Sequence, residues 1–336
     1  MLPDPNPQER RWWGAAVSAL TLMLALVRLG QSSLWADESY TANIGLQVLK
    51  FGLPRMEGSL FVPESIEWGV RGGIWIWDGW LQYYISAAGE AIFGQTAFGA
   101  RFFHTLAGAL VPWAAYPLFR AIASRRGVAE SATLLTGLSV QFLVAIRQAR
   151  YYPEGILLTV LLLRAYQGGL VGRPRAAWML ALWSVFLFYT NFVWFSLLGV
   201  TLLIHLALVR PPLGVSARMA AAGLSALVTI LPFALWSRVW DRRWGTSISS
   251  QDPYIALSAI RYYLLEINLH GAPMLLLFGA AAYAAGRAHP VRAVLCLLGA
   301  VLFPAVLPQS YTPLATWVFA VLLVVFGGVG VAMIAS

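Results

Sequence analysis

From Trp12 to its last residue the chain repeats charge-poor apolar stretches close to the length, about 20 residues, that crosses a hydrocarbon core as a helix. Backbone buried in lipid must satisfy its own hydrogen bonds, so such stretches are restricted to helices or a closed barrel, and runs of this length select helices. Only 11% of the 336 residues are charged, against roughly a quarter in soluble domains, and no segment of ordinary domain size separates the apolar runs. The expected fold is all-α: a polytopic integral membrane protein with about ten transmembrane helices.

Spans are expected at 12–32, 98–119, 128–146, 152–171, 176–190, 192–209, 217–237, 270–286, 291–308 and 314–335. With both ends inside, arginines 10, 11, 120, 125, 126, 173, 175, 210, 218, 287 and 292 all face the cytoplasm, as the positive-inside bias requires. The net charge of +9 is therefore a topology signal, and nucleic acid is not an expected partner. The uncharged run Ala176 to Val209 would be about 50 Å long as one helix, too long for one crossing, so a break is expected at Thr190-Asn191. Arg10-Arg11 precedes a span too long for a signal-peptide core, and the first segment is expected to stay as an anchor. The single cysteine, Cys296, has no partner for an intramolecular disulfide.

The outer loop 33–97 holds Asp37, Glu38, Glu57, Glu64, Glu67, Asp78 and Glu90, half of the chain's 14 acidic residues. Two amphipathic juxtamembrane helices are expected in it. The first, Glu38 to Phe51, carries Tyr40, Ile44, Val48 and Phe51 on one side and stops at Gly52 and Pro54. The second, Ile74 to Phe93, places Trp75, Trp77, Trp80, Tyr83 and Tyr84 at headgroup level. A second outer segment, Arg238 to about Leu269, carries a mixture of both charges.

Asp37 and Glu38 follow Leu34-Trp35-Ala36 at the outer end of the first span. A carboxylate there can take the proton of an attacking acceptor hydroxyl, and two adjacent carboxylates raise each other's pKa, keeping one a usable base. The other reading makes Asp37 the N-cap of a helix beginning at Glu38, and both can hold. Arg147, Arg150 and Tyr151, in Arg147-Gln148-Ala149-Arg150-Tyr151-Tyr152-Pro153-Glu154, break the positive-inside pattern at an outer end and suit a phosphate, which a guanidinium binds through paired charge-assisted bonds. Alternatively Arg150 pairs with Glu154 one turn on, while Arg147 reaches lipid headgroups. His104 and His205 lie within spans without metal-ligand spacing and read as hydrogen-bonded interhelical side chains. Arg28 and Arg101, flanking the acidic loop, read as ion-pair partners of its carboxylates. No phosphate-loop glycine spacing occurs.

Leu34-Trp35-Ala36-Asp37-Glu38-Ser39-Tyr40-Thr41-Ala42, the stop at Phe51-Gly52-Leu53-Pro54, Phe93-Gly94 with Arg101, and Gln148-Ala149-Arg150-Tyr151-Tyr152 together resemble the GT-C glycosyltransferases. The branch is that of the protein O-mannosyltransferases and the lipid A aminoarabinose transferase. The likeness runs over about the first 210 residues, dividing the chain into a catalytic module, 1–210, and a variable membrane module, 211–336. It implies Asp37 as the catalytic base with Glu38 beside it, Arg147, Arg150 and Tyr151 on the donor phosphate, and Asp78, Arg101 and Glu154 in support. It also implies no metal and no cofactor, because arginines can neutralise a lipid monophosphate leaving group. Relatives often have a proline-rich stretch where this chain has Trp77-Asp78-Gly79-Trp80-Leu81, and no basic residue follows Arg292, so a contact made late in relatives is expected to be missing or replaced.

The expected activity is transfer of a sugar from a polyprenyl-phosphate-linked donor to a lipid, glycan or protein hydroxyl, with the catalytic loop on the extracytoplasmic face of a bacterial-type plasma membrane. Two other classes stay open. A lipid-linked sugar flippase or transporter needs polar residues through the midplane, which most spans lack. A non-catalytic partner subunit with the same fold needs neither Asp37 nor Arg150.

Overall fold

The computed structural model describes residues 9–56, 69–122 and 126–239. Glu57, Glu64, Glu67, Cys296, nearly all of the second outer segment and the expected spans at 270–286, 291–308 and 314–335 lie outside the described residues. The described part is helical apart from one short hairpin, in the order α1 (Glu9–Leu26), α2 (Ala36–Phe51), β1 (Val70–Arg71), β2 (Ile74–Trp75), α3 (Leu81–Phe93), α4 (Ala97–Ala109), α5 (Val111–Ile122), α6 (Arg126–Leu138), α7 (Val140–Ile146), α8 (Tyr152–Leu170), α9 (Pro174–Thr190), α10 (Phe192–Val209) and α11 (Leu213–Ser237).

Two of the expected spans are each built from two pieces. The 98–119 span becomes α4 and α5, joined at Leu110. The 128–146 span is cut at Ser139, whose extended ψ of 136° leaves the helix and whose hydroxyl accepts the Phe142 N–H at 3.2 Å. Such a side chain caps the new helix start by satisfying one of its orphan donors. The expected break at Thr190-Asn191 is present for the same reason: Asn191 is extended, and its side chain accepts the Trp194 N–H at 2.9 Å. By length and composition α11 is long and apolar enough to cross a bilayer, whereas the apolar helices Trp12–Leu26 and Phe192–Ala207 are shorter.

Two apolar cores result. The larger gathers Val111, Tyr116 and Phe119 of α5, Phe142 and Ile146 of α7 and Ile156 and Val160 of α8, and it seats Ala25 of α1. The second joins α9 to α11 through Ala181, Phe188, Ala226, Ile230 and Phe233.

The outer loop has a small core of its own, made by Tyr40, Ile44 and Val48 of α2 with Trp75, Tyr83 and Ala87. Three of the four residues expected on the inner side of α2 are there, while Phe51 is exposed beside Gly52, whose φ of 73° ends the helix. The second amphipathic helix is shorter than expected. It begins at Leu81, because Val70–Arg71 and Ile74–Trp75 form an antiparallel hairpin around Gly72-Gly73, with φ of 58° and 75°. Two consecutive left-handed residues are what a tight hairpin turn requires and what glycine supplies. Trp75 and Tyr83, expected at headgroup level, are buried instead. Trp80 packs edge-on against Phe233, and Arg71 donates to the Trp236 carbonyl, fastening this loop to the end of α11.

Candidate active site

The site begins with Glu38, which is 1% exposed. It receives two bonds from Arg101 of α4, Nε to Oε1 at 2.8 Å and Nη2 to Oε2 at 2.6 Å. The Ala149 N–H adds a third at 2.8 Å, and the Trp35 N–H a fourth at 3.3 Å. Arg101 also donates to the carbonyls of Leu29, Ser32 and Ser33, so one guanidinium gathers the chain between α1 and α2. The expected ion pair of Arg101 with a loop carboxylate is this one. Together the two side chains bind three segments: the start of α2, the start of α4 and the link between α7 and α8.

That clamp places the neighbouring residues. Ala149 is held on Glu38, and the next residue, Arg150, meets Asp37: Nη2 lies 3.2 Å from Oδ2. The Asp37 side chain is 45% exposed and the Arg150 side chain 10%. Arg150 therefore pairs with Asp37 and not with Glu154, the other partner the sequence allowed. Nor is Asp37 the N-cap, since α2 begins at Ala36 and Glu38 is the side chain that reaches back to the Trp35 N–H. The two adjacent carboxylates thus face separate guanidinium groups.

Around Arg150 the polar inventory is uneven. Its Nε is buried with no hydrogen-bond partner among the described residues, as is Oε1 of Gln148. Its guanidinium stands 5.1 Å over the Tyr151 ring, and Tyr151 leans edge-on toward Trp194. Burial disfavours the charge on Arg150, but the oxygens of Tyr152, Asp78, Tyr151 and Asp37 more than offset it, so the pKa rises and the group stays a cation. Asp78 reaches this neighbourhood from the loop before α3. It accepts from the Tyr83 hydroxyl at 3.1 Å, which in turn accepts from Trp75 Nε1 at 3.0 Å, with the Tyr40 hydroxyl 3.5 Å away. Burial pushes the Tyr40 and Tyr83 phenols up, so both remain protonated donors. Arg147 ends α7, half-buried, with no ion pair to any described residue.

Behind this layer a buried chain of polar groups links three helices: Ser86 Oγ to His104 Nε2 at 3.1 Å, and His104 Nδ1 to Glu154 Oε2 at 2.9 Å. His104 is the interhelical histidine that was expected, and so is His205, whose Nδ1 lies 2.7 Å from the Tyr166 hydroxyl. The partnership of His104 with Glu154 is not legible in sequence, because 50 residues separate the two. The Trp75–Tyr83–Asp78 cluster is not foreseen either, hidden by the helical reading of Ile74 to Phe93, of which only Leu81–Phe93 is helix. Among the described residues no three His, Cys, Asp or Glu side chains converge to hold a metal ion.

No protein-family model and no curated protein matches the chain. Two solved structures share its fold. ArnT from Cupriavidus metallidurans in the apo state superposes with a TM-score of 0.65 at 18% identity, and ArnT bound to undecaprenyl phosphate with 0.62 at 16%. Each comparison covers 96% of this chain and 59% or 60% of ArnT, so the chain spans about three-fifths of that protein's length. The chain therefore has the fold of ArnT, a member of the branch that Leu34-Trp35-Ala36-Asp37-Glu38 and its companion motifs resemble.

Proposed function

We propose that this chain is a multi-pass membrane glycosyltransferase, with the loop carrying Asp37 on the extracytoplasmic face, that takes a sugar from a polyprenyl-phosphate donor. The observation that carries the proposal is the open Asp37–Arg150 pair, in which a carboxylate reaches solvent while a nearly buried guanidinium keeps Nε unpaired. The shared fold with ArnT, one of whose structures holds undecaprenyl phosphate, supports it.

In this mechanism the donor phosphate takes the place of Asp37 on Arg150, which grips it through Nε and Nη2, with Arg147 adding charge and Tyr151 flanking the site. Asp37, released from Arg150, accepts the proton of an acceptor hydroxyl as its oxygen attacks the anomeric carbon. The bond from that carbon to the phosphate oxygen breaks, its electron pair leaves with the polyprenyl phosphate, and the arginines stabilise the charge. Attack opposite the leaving phosphate inverts the anomeric centre. The acceptor is the hydroxyl of a lipid, a glycan or a protein. Glu38, although adjacent to the base, holds the loop: its hydrogen bonds among the described residues come from Arg101 and two backbone amides. Asp78 supports the base and phosphate layer through its charge on Arg150, while Glu154 holds His104 behind it.

Lipids that co-purify with the chain in mild detergent test this reading by mass spectrometry. A polyprenyl phosphate or its glycosylated form is expected; ordinary phospholipids without any polyprenyl species would contradict it.

A further inference from the structure

Helix α4 carries two buried polar side chains three residues apart, Arg101 and His104, which places them on one face about 4.5 Å apart along its axis. Both hold the chain around Arg150. Arg101 grips Glu38, which fixes the N–H of Ala149, the residue before Arg150. His104 Nδ1 meets Glu154 Oε2 at 2.9 Å in the first turn of α8. That turn is closed back to Tyr151, whose carbonyl accepts the Gly155 N–H at 2.9 Å. One turn further along α4, a Cβ on Gly108 would overlap Ile146 and come within 3.3 Å of Pro153, so α4 and this segment pack without room between them. Arg150 to Pro153 is therefore a short run strung between two anchors, both set by the same helix.

Arg150 supplies little of its own placement. Its guanidinium pairs with the half-exposed Asp37 at 3.2 Å and stands over the Tyr151 ring, with Nε unpartnered among the described residues. The backbone on either side must set where the fork points. The anchor at Glu154 is directional: a carboxylate only accepts, so the hydrogen of this bond sits on His104 Nδ1. Glu154 Oε1 is buried without a partner among the described residues, which leaves the bond to Nδ1 as the one this carboxylate makes there. A buried carboxylate so sparsely bonded costs stability, and an apolar pair would join α4 to α8 with a smaller penalty. What the bond adds is a fixed geometry. We propose that His104 is a positioning residue for the donor phosphate: by holding Glu154 it fixes the start of α8, and with it the direction in which Arg150 presents its guanidinium. The inference rests on the phosphate role proposed for Arg150. Ser86, 3.1 Å from Nε2, ties His104 to α3 and has no part in that role.

Two amides that divide the imidazole between them test this. The amide nitrogen of asparagine falls where Nδ1 of histidine lies, and that of glutamine where Nε2 lies, so His104→Asn keeps the bond to Glu154 and gives up Ser86, whereas His104→Gln does the reverse. Affinity for a polyprenyl phosphate is titrated on the full chain in detergent, well below the unfolding temperature, and the thermal midpoint is read on the same preparations. His104→Gln should weaken binding by about tenfold, while His104→Asn and Ser86→Ala stay within about twofold of the wild type. If His104→Gln fails to fold, Glu154→Met, which loses the acceptor, is compared with Glu154→Gln, which keeps it, and only the former should lose affinity. Equal affinities across the variants, equal losses in His104→Asn and His104→Gln, or losses that simply follow the unfolding midpoint would overturn the positioning role and leave the glycosyltransferase reading intact. A wild type without measurable affinity for polyprenyl phosphate would overturn both.

Discussion

Asp37 and Glu38 are neighbours in sequence, each meets an arginine, and the two pairs are built for opposite ends. Glu38 and Arg101 are both buried, doubly bonded to one another and saturated by backbone groups on every side. Asp37 and Arg150 touch once, at 3.2 Å, with the carboxylate half in solvent and one guanidinium nitrogen idle. A pair with no unused capacity can only hold structure. A pair with a spare donor and an exposed acceptor can exchange its partner for a ligand. The first pair also sets the register of the second, because the bond from Ala149 to Glu38 fixes where Arg150 stands.

The comparison is broken most forcefully at the saturated pair. Glu38→Gln leaves a buried guanidinium without its counter-charge, and a loss of about 3–5 kcal/mol is expected. The check is the yield of monodisperse protein and the thermal unfolding midpoint in detergent; a midpoint like the wild type's would mean that this pair holds nothing.

At the open pair the effect should fall on the ligand. Arg150→Lys keeps the charge but not the fork, so transfer should drop by roughly tenfold or more, in line with about 1.5–3 kcal/mol for a bond to a charged group. Stability should hardly move, and Glu154→Gln should not imitate the loss of donor affinity, since Glu154 is bound to His104. Matching stability losses in both variants would point to a structural role for Arg150.

Gly79 tests whether the Asp78 loop belongs to the same assembly. A Cβ there would overlap the carbonyls of Tyr189 and Thr190, so Gly79→Ala must lift the loop from the end of α9. About 1–3 kcal/mol of destabilisation is expected, with donor affinity reduced alongside it. Thermal unfolding and donor titration on one preparation read both.

The smallest effect comes from a third carboxylate, Glu90, whose Oε2 is buried with no hydrogen-bond partner among the described residues. Burial pushes its pKa up from 4.5 to about 8. The folded chain then binds more protons than the unfolded chain between these values, so stability should fall as pH rises from about 4.5 to 8 and level off above. Glu90→Gln should flatten that part of the curve of unfolding midpoint against pH, and an unchanged curve would assign the slope to other groups.

Sequence made the architecture readable where one residue decides the local outcome. The uncharged run from Ala176 to Val209 was too long for one crossing, and Asn191 is the cap that cuts it. Gly52 ends α2 where expected. Pairing was harder to read, because Glu38 and Arg101, or His104 and Glu154, meet only once the helices pack. Spacing allows Arg150 to pair with Glu154 at one helical turn, but α8 begins after Arg150, so that turn does not exist between them. Likewise the tryptophans after Gly73 looked like a headgroup belt until the hairpin turned Trp75 inward.

The central claim is that Asp37 works as a base and occupies Arg150 only until the donor phosphate arrives. Binding of a polyprenyl phosphate and sugar transfer, measured together on wild type and Asp37→Asn, test it most directly. Removing the competing carboxylate should leave lipid-phosphate affinity equal or tighter, while transfer falls by about 10²–10⁴-fold for want of a proton acceptor. Near-normal transfer in Asp37→Asn, or a loss of lipid binding equal to the loss of transfer, would contradict the account.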